Sequence, residues 1–393
     1  MEQQTHRIPR ILVIAGSDSG GGAGIQADIK TITMLGGHAM TAITAITAQN
    51  TVGVSAIHPV PAEMILAQID AVADDIGVDA IKIGMVGGAF AAETIARRLA
   101  AFVDIPIVFD PVMVASSGAA LADEATIAAF GQLMDLATIV TPNLPELTQL
   151  TGDDDPVAGA LALVSKHRCA VLIKGGHEEG EALADALIEE DNMTSWQGQR
   201  IETTSTHGTG CTLASAIAVG LARGTSLAEA VDRARIFVRV ALLAAPGLGQ
   251  GTGPMGQGEV RLDVGRGPRL NQVTITGHDY EKSVAFYRAL GLKQIVDSAP
   301  VYARFETAGG ATLSVQIDPE EKISESTAVY LECDDLDAHV DRLARMGMPF
   351  EHGPRDQPWM WREARLRDPS GNVVFLYRAG EARRFPPWRI DES

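Results

Sequence analysis

Arg10–Leu35 reads RILVIAGSDSGGGAGIQADIKTITML, and the fold follows from how this stretch is parsed. RILVIA is a short, nearly continuous apolar run closed by glycine, the pattern of a strand buried on both faces. Glycines at 20, 21, 22 and 24 then make a loop. Ile25 to Leu35 returns its apolar residues at helical spacing. A strand, a Gly-rich turn and a helix in that order open an α/β unit. The same alternation continues outward. Further strands are expected at 39–46, 80–83, 107–109, 138–140 and 170–173, with helical patterns between most of them. The fold class is therefore α/β: a mostly parallel sheet with helices on both faces, whose ligands bind at the carboxyl ends of the strands.

Composition bounds what such a chain does. Its 393 residues are 46% hydrophobic, enough for two or three domains with sizeable cores. No uninterrupted apolar run reaches the roughly 18 residues of a membrane span. The opening MEQQTHRIPR lacks the apolar stretch of a secretory signal, so the expected location is cytoplasmic. A net charge of −18 argues against nucleic acid and anionic membranes as partners. The charge is uneven: up to Met255, 14 basic residues face 28 acidic ones, a balance of −14, and the remainder carries −4. Cys169, Cys211 and Cys333 are too few and too odd for a disulfide framework, and no CxxC pair marks structural zinc.

The polar motifs fall where the strands are expected to end. Thr206–Cys211, THGTGC, precedes the apolar helical stretch LASAIAVGLA. Small residues let backbone N–H groups approach a phosphate, and a helix start adds its positive end. Cys211 would sit at that start, where a thiol ionises more easily; equally, it is a buried, inert cysteine at a helix entry. The loop after the first strand lacks the GKS or GKT ending of a P-loop. Asp28 beyond it either lines a pocket or caps and solvates its helix. Asn143 and Glu146 in TPNLPE suit hydrated Mg²⁺ or a proline-started helix with an acidic first turn. Lys174 in KGGH can pair with phosphate oxygens, and Asp110 in DPVM can hold metal-bound water; each also fits an ordinary turn.

Taken in order, AGSDSGGGAGIQADIKT, ITAQNTVGV, KIGM, DPVM, TPNLPE, KGGH and THGTGCTLASAIA resemble the hydroxymethylpyrimidine/phosphomethylpyrimidine kinases of thiamine biosynthesis, in the ribokinase superfamily. The resemblance runs from about Arg10 to Gly256. It implies MgATP-dependent phosphorylation of hydroxymethylpyrimidine and then of its monophosphate. Gln49, Asp28, Ala23 and Met85 would contact the pyrimidine. Cys211 would deprotonate or position the substrate hydroxyl, with Gly208 and Gly210 supplying anion-hole amides. Lys174, Asn143, Glu146, Asp110 and Thr209 would serve ATP and Mg²⁺. A homodimer is the implied assembly. A cysteine-type pyridoxal kinase and a non-catalytic pyrimidine-binding regulator are the alternatives.

Pro246 to Gly267 is dense in glycine and ends this unit. The expected divisions are a kinase domain at 1–255, a Gly-rich linker at 256–268, a second domain at 269–380 and a tail at 381–393. After the linker the texture becomes a smaller α+β unit of strand–helix–strands, twice. LNQVTITGHDYEKSVAFYRALGL, VYLECDDLDAHVDRLARMG and LRDPSGNVVFLYR resemble the glyoxalase/bleomycin-resistance, or vicinal-oxygen-chelate, superfamily. Gln272 occupies the first of that superfamily's ligand positions, but Ala328 and Phe375 stand where His and Glu are common, with Ser314 or Gln316 between. The resemblance therefore implies no metal here. Tyr302, Phe305, Trp359 and Trp361 either line a small-molecule cavity or are core and tail-covering aromatics. Ligand binding, metal-free catalysis and assembly are the three roles this leaves.

Overall fold

The protein is described here from a computed structural model, which covers residues 8–114, 118–175, 182–260, 272–307, 309–324, 327–333, 335–379 and 388. The chain divides into two compact units, Met1–Arg266 and Gly267–Ser393.

Among the described residues, the first unit is built on nine strands: β1 (Arg10–Asp18), β2 (His38–Gln49), β3 (Val54–Pro59), β4 (Ala80–Ile83), β5 (Ile107–Phe109), β6 (Ile139–Val140), β7 (Ala170–Ile173), β8 (Ala182–Ile188) and β9 (Met193–Gln199). They lie in the order β3-β2-β1-β4-β5-β6-β7-β8-β9. The run from β2 to β7 is parallel, and β3, β8 and β9 are antiparallel additions at the two edges. The helices are α1 (Gly24–Met34), α2 (Ala62–Asp75), α3 (Ala89–Leu99), α4 (Glu124–Met134), α5 (Leu144–Thr151), α6 (Pro156–His167), α7 (Thr209–Ala222) and α8 (Leu227–Leu243).

Period-two alternation within β1 feeds two separate cores. Leu12 and Ile14 join Ile69, Ile95, Phe130 and Leu163 from α2, α3, α4 and α6. Ile11 and Val13 join Ile32, Ile217 and Phe237 from α1, α7 and α8. A strand buried on both sides has no polar face, which is why RILVIA is apolar throughout after its arginine.

The end of this unit is knitted inward. The His207 amide donates to the Gly253 carbonyl at 3.1 Å, and the Gly253 amide donates to Thr204 at 3.1 Å. Of the segment read as linker, 257–260 packs on the first unit: Gln257 donates to the Thr212 hydroxyl at 3.2 Å, and Val260 is fully buried in the α1–α7–α8 core. A glycine-rich composition hid this because the anchoring side chains are few; residues 261–268 lie outside the described part.

The second unit repeats one topology. β10 (Gln272–Gly277), α9 (Tyr280–Ala289), β11 (Lys293–Ser298), β12 (Tyr302–Glu306) and β13 (Thr312–Ile317) form a sheet in the order β10-β13-β12-β11. β14 (Ala328–Glu332), α10 (Leu336–Arg345), β15 (Phe350–Asp356), β16 (Arg362–Arg367) and β17 (Val373–Arg378) form the other, β14-β17-β16-β15. First and last strands pair in parallel in each, and the rest are antiparallel. One apolar cluster, with Tyr287, Phe305, Leu343 and Leu376 at its centre, serves both halves. Phe305 belongs to that core and is fully buried, so it lines no cavity.

Candidate active site

The Gly-rich loop takes its shape from Asp18, the last residue of β1. Its carboxylate accepts the amides of Gly20 at 2.8 Å, Gly22 at 3.0 Å and Ala23 at 2.9 Å. His207 Nε2 lies 2.9 Å from the same carboxylate. Burial works against that charge, but the His207 contact and the amides of Ala23 and Gly20 outweigh it and hold the acid below its ordinary range. His207 Nε2 is also 3.1 Å from the Gln49 side-chain nitrogen, while Thr47 donates to Gln49 Oε1 at 3.2 Å. Gln49 thus stands at the carboxyl end of β2 beside His207, whose Nε2, when it donates to Asp18, has no lone pair left for the Gln49 amide. Met85 closes the same side: an added Cβ at Gly16 would meet its methyl carbon at 2.3 Å. Asp18 and His207 escaped the sequence reading because 189 residues separate them.

Gly208 joins this loop to α7. It adopts φ +84°, and a Cβ there would stand 2.0 Å from the Gly22 carbonyl oxygen. Gly208→Ala is therefore expected to cost about 1–3 kcal/mol, seen as a lower denaturant midpoint at unchanged slope. An unchanged midpoint would show that the two segments part freely.

Asp28 does not line a pocket. It is fully buried, paired with Lys82 at 3.0 Å and accepting from the Ser215 hydroxyl at 2.7 Å. Lys82 is equally enclosed. Burial disfavours its ammonium, yet Asp28 first, then Cys211 and Asp110, lift its pKa above the usual lysine value. Cys211, half-buried in the first turn of α7, also corrects expectation. Burial pushes its thiol up to about 11; Lys82 and the Gly24 amide pull the other way, but Asp28 and Asp110 reinforce the rise. The helix start does not win against desolvation.

A second cluster gathers at the ends of β5, β6 and β7. Lys174 pairs with Asp110 at 3.0 Å, and the Thr141 hydroxyl donates to the same carboxylate oxygen at 3.1 Å. Asn143 and Glu146 form a reciprocal capping box on α5, at 2.8 and 2.9 Å. Glu146 thus caps its helix while standing in the same cluster: burial raises its pKa, Lys174 opposes and Asp110 adds to the rise. Gly210 seats α7 on this pair, since a Cβ there would lie 3.1 Å from Asp110 Oδ2 and 3.3 Å from Lys174 Nζ. Thr209 is the first residue of α7. Among the described residues no three His, Cys, Asp or Glu side chains converge as a metal cage. At the C-terminal end of α8, an open cleft of about 640 Å³ is lined by Ile201–Ser205 together with Leu242, Leu243, Ala245 and Gly247.

The N-terminus of α7 therefore stands between a held amide and a carboxylate–lysine pair. Residues 18–256, three-fifths of the chain, match the family model described as phosphomethylpyrimidine kinase. The chain belongs to that family. The kinase unit is 48% identical over 253 residues to the hydroxymethylpyrimidine/phosphomethylpyrimidine kinase of Rhizobium meliloti, covering 62% of this chain and 95% of the relative. Among solved structures, phosphomethylpyrimidine kinase from Clostridium difficile is similar at TM-score 0.53 and 37% identity, covering 60% of this chain and 99% of that one. A Bacillus subtilis pyridoxal kinase, solved as an ADP complex, superposes at TM-score 0.61 and 34% identity, covering 65% of this chain and 100% of that one.

Beyond the kinase unit, residues 269–376 match the glyoxalase/bleomycin resistance protein/dioxygenase superfamily. At the positions read for ligands, Gln272 Nε2 lies 3.5 Å from Ser314 Oγ, which also contacts the Tyr302 hydroxyl at 2.8 Å. Gln316 donates to the Val301 carbonyl at 3.0 Å. Phe375 stacks on Tyr330. No helix among the described residues is long and apolar enough to cross a membrane.

Proposed function

We propose that the kinase unit transfers the terminal phosphoryl group of ATP to the hydroxymethyl group of 4-amino-5-hydroxymethyl-2-methylpyrimidine, and then to the phosphate of that product. The placement of the α7 N-terminus carries this reading: Gln49 stands on one side and the Asp110–Lys174 pair on the other. Gln49 offers an amide donor and acceptor to an aminopyrimidine edge, with Ala23 and Met85 beside it. The amides at Gly208, Thr209 and Gly210 and the Lys174 ammonium meet the phosphates, where charge builds during transfer. Asp110 and Glu146 suit a hydrated Mg²⁺, an ion held by one or two carboxylates plus phosphates rather than by a closed protein cage. When bound, that ion neutralises phosphate charge. The ADP complex of the Bacillus subtilis relative supports ATP as donor.

A second reading has its own support. The pyridoxal kinases of Bacillus subtilis and Staphylococcus aureus superpose at TM-scores of 0.61 and 0.59, above the 0.53 of the pyrimidine kinase. Identity points the other way, at 48% to a pyrimidine kinase against 34% and 31% to these two. An ADP-release assay of the full chain with hydroxymethylpyrimidine, its monophosphate and pyridoxal decides. Turnover of both pyrimidines is expected. Gln49→Ala should raise KM for the pyrimidine by about tenfold, the cost of one hydrogen bond to the ring edge. Turnover of pyridoxal alone would overturn the pyrimidine assignment.

A further inference from the structure

The hairpin that carries Gln49 projects past the sheet. Pairing of β1 with β2 ends at Asp18 and Thr47, so Gln49 lies beyond the last strand pair on that side. Its neighbour on the other side, β3, is the outermost strand, with five of its six residues exposed. A strand pair with so little buried surface is held weakly. The turn itself is stiff. The Asn50 amide donates to the Gly53 carbonyl at 3.0 Å, and the Asn50 side chain accepts the amides of Val52 at 2.9 Å and Gly53 at 3.1 Å. A stiff turn on a weakly held strand pair moves as one piece, and Gln49 moves with it.

Two holds fix that piece. At its base, the Ser19 hydroxyl donates to the Gln49 carbonyl at 2.7 Å and accepts the Gln49 amide at 2.8 Å. At its tip, the Thr51 hydroxyl accepts the amides of Gln250 at 3.2 Å and Gly251 at 3.3 Å, from 199 and 200 residues away. One hydroxyl oxygen has the two lone pairs for this. The fit is close on both sides of Thr51. A Cβ at Gly249, where φ is +87°, would stand 2.3 Å from its Oγ1, and a Cβ at Gly251 would stand 2.2 Å from its carbonyl oxygen. The glycines that give this stretch the look of a spacer are thus required by contact. The far end of the stretch is anchored as well: Gly253 bonds to Thr204 and His207, and the Gly256 amide donates to the Ala241 carbonyl of α8 at 2.9 Å. A strap over residues 249–256 therefore ties the hairpin tip to the loop that enters α7.

We infer, on the reading that Gln49 meets the pyrimidine, that Thr51 is a positioning residue for that substrate: it latches the hairpin to the strap and so sets the distance between Gln49 and the amides at the start of α7. The bound substrate spans that distance, with its ring at one end and its hydroxymethyl group at the other. A hairpin held only at Ser19 samples wider positions. The substrate must then draw it into place, and the fraction of time the hairpin is misplaced is lost from the apparent affinity. ATP meets Lys174 and α7, neither of which hangs on the hairpin, so its affinity does not depend on the latch.

Steady-state ADP release by the full chain tests this. Thr51→Val keeps the branched shape and removes the acceptor. It is expected to raise KM for hydroxymethylpyrimidine about tenfold while kcat and the KM for ATP stay within about twofold of the parent. Thr51→Ser keeps the hydroxyl and should stay within about threefold of the parent KM. Gly249→Ala pushes the strap away from the other side and should raise the same KM. Combined with Thr51→Val it should add little, because both changes remove one contact. A parent KM in Thr51→Val, a KM for ATP that rises in step with that for the pyrimidine, a Thr51→Ser enzyme as impaired as Thr51→Val, or full additivity in the double variant would overturn the latch and leave the pyrimidine reading in place. A parent chain that turns over neither hydroxymethylpyrimidine nor its monophosphate would overturn both.

Discussion

Replacing Lys82 by methionine is expected to cost the kinase unit about 3–5 kcal/mol, the range for breaking a buried ion pair from one side. The reason is the environment of Asp28. Its carboxylate is fully enclosed and has two partners, Lys82 at 3.0 Å and Ser215 at 2.7 Å. Without the ammonium, one hydroxyl is left to hold a buried acid. In a unit of this size that loss lowers the thermal midpoint by roughly 10 °C or more. The double variant Lys82→Met, Asp28→Leu removes both charges and should recover much of the stability, because desolvating the pair costs about as much as its attraction returns. Thermal unfolding followed by circular dichroism reads both. A wild-type midpoint in Lys82→Met would mean that Asp28 is satisfied without its partner.

Cys211→Ala is expected to lower kcat by about 100-fold, whereas Cys211→Ser should stay within about tenfold of the parent. Burial pushes the thiol up to about 11, which favours its protonated form at pH 7. On the proposed reading, a thiol that keeps its proton positions the substrate hydroxyl rather than removing its proton, since phosphoryl transfer with a loose transition state asks mainly for position. The sign of the pH dependence separates the two roles. A required thiolate would make kcat/KM climb about tenfold per pH unit between pH 7 and 9, since that window lies wholly below the raised value. A positioning thiol leaves the profile flat there. A unit slope in the parent that disappears in Cys211→Ser would restore the thiolate as the base.

The parallel strands of the kinase unit were legible because burial on both faces forces a nearly continuous apolar run, as in Ala170–Ile173, and as in Ala80–Ile83 apart from Lys82, which Asp28 pairs. β3 was not, since five of its six residues are exposed and an edge strand needs no apolar pattern. β11 and β15 were silent for the same reason, with mostly polar and half-exposed side chains. The duplicated topology was still readable from its helices and inner strands. At the site, the motifs disclosed which loops meet at the strand ends. They did not disclose what each side chain touches. Asp28 and Lys82 are 54 residues apart, and only the docking of α1 onto the sheet turns a helix-face acid and a strand lysine into one buried pair. Cys211 shows the converse limit: a helix start predicts an acidic thiol, and only the surrounding carboxylates and burial reverse the sign.

The inward knitting of residues 253–260 fixes where the protein can be divided. Gly253 holds the backbone of His207, whose imidazole meets Asp18 beside Gln49, and Val260 fills the α1–α7–α8 core. A gene fragment ending at the first glycines of the presumed spacer would lose that brace and the packing of Val260. An autonomous kinase unit has to be cut beyond Val260.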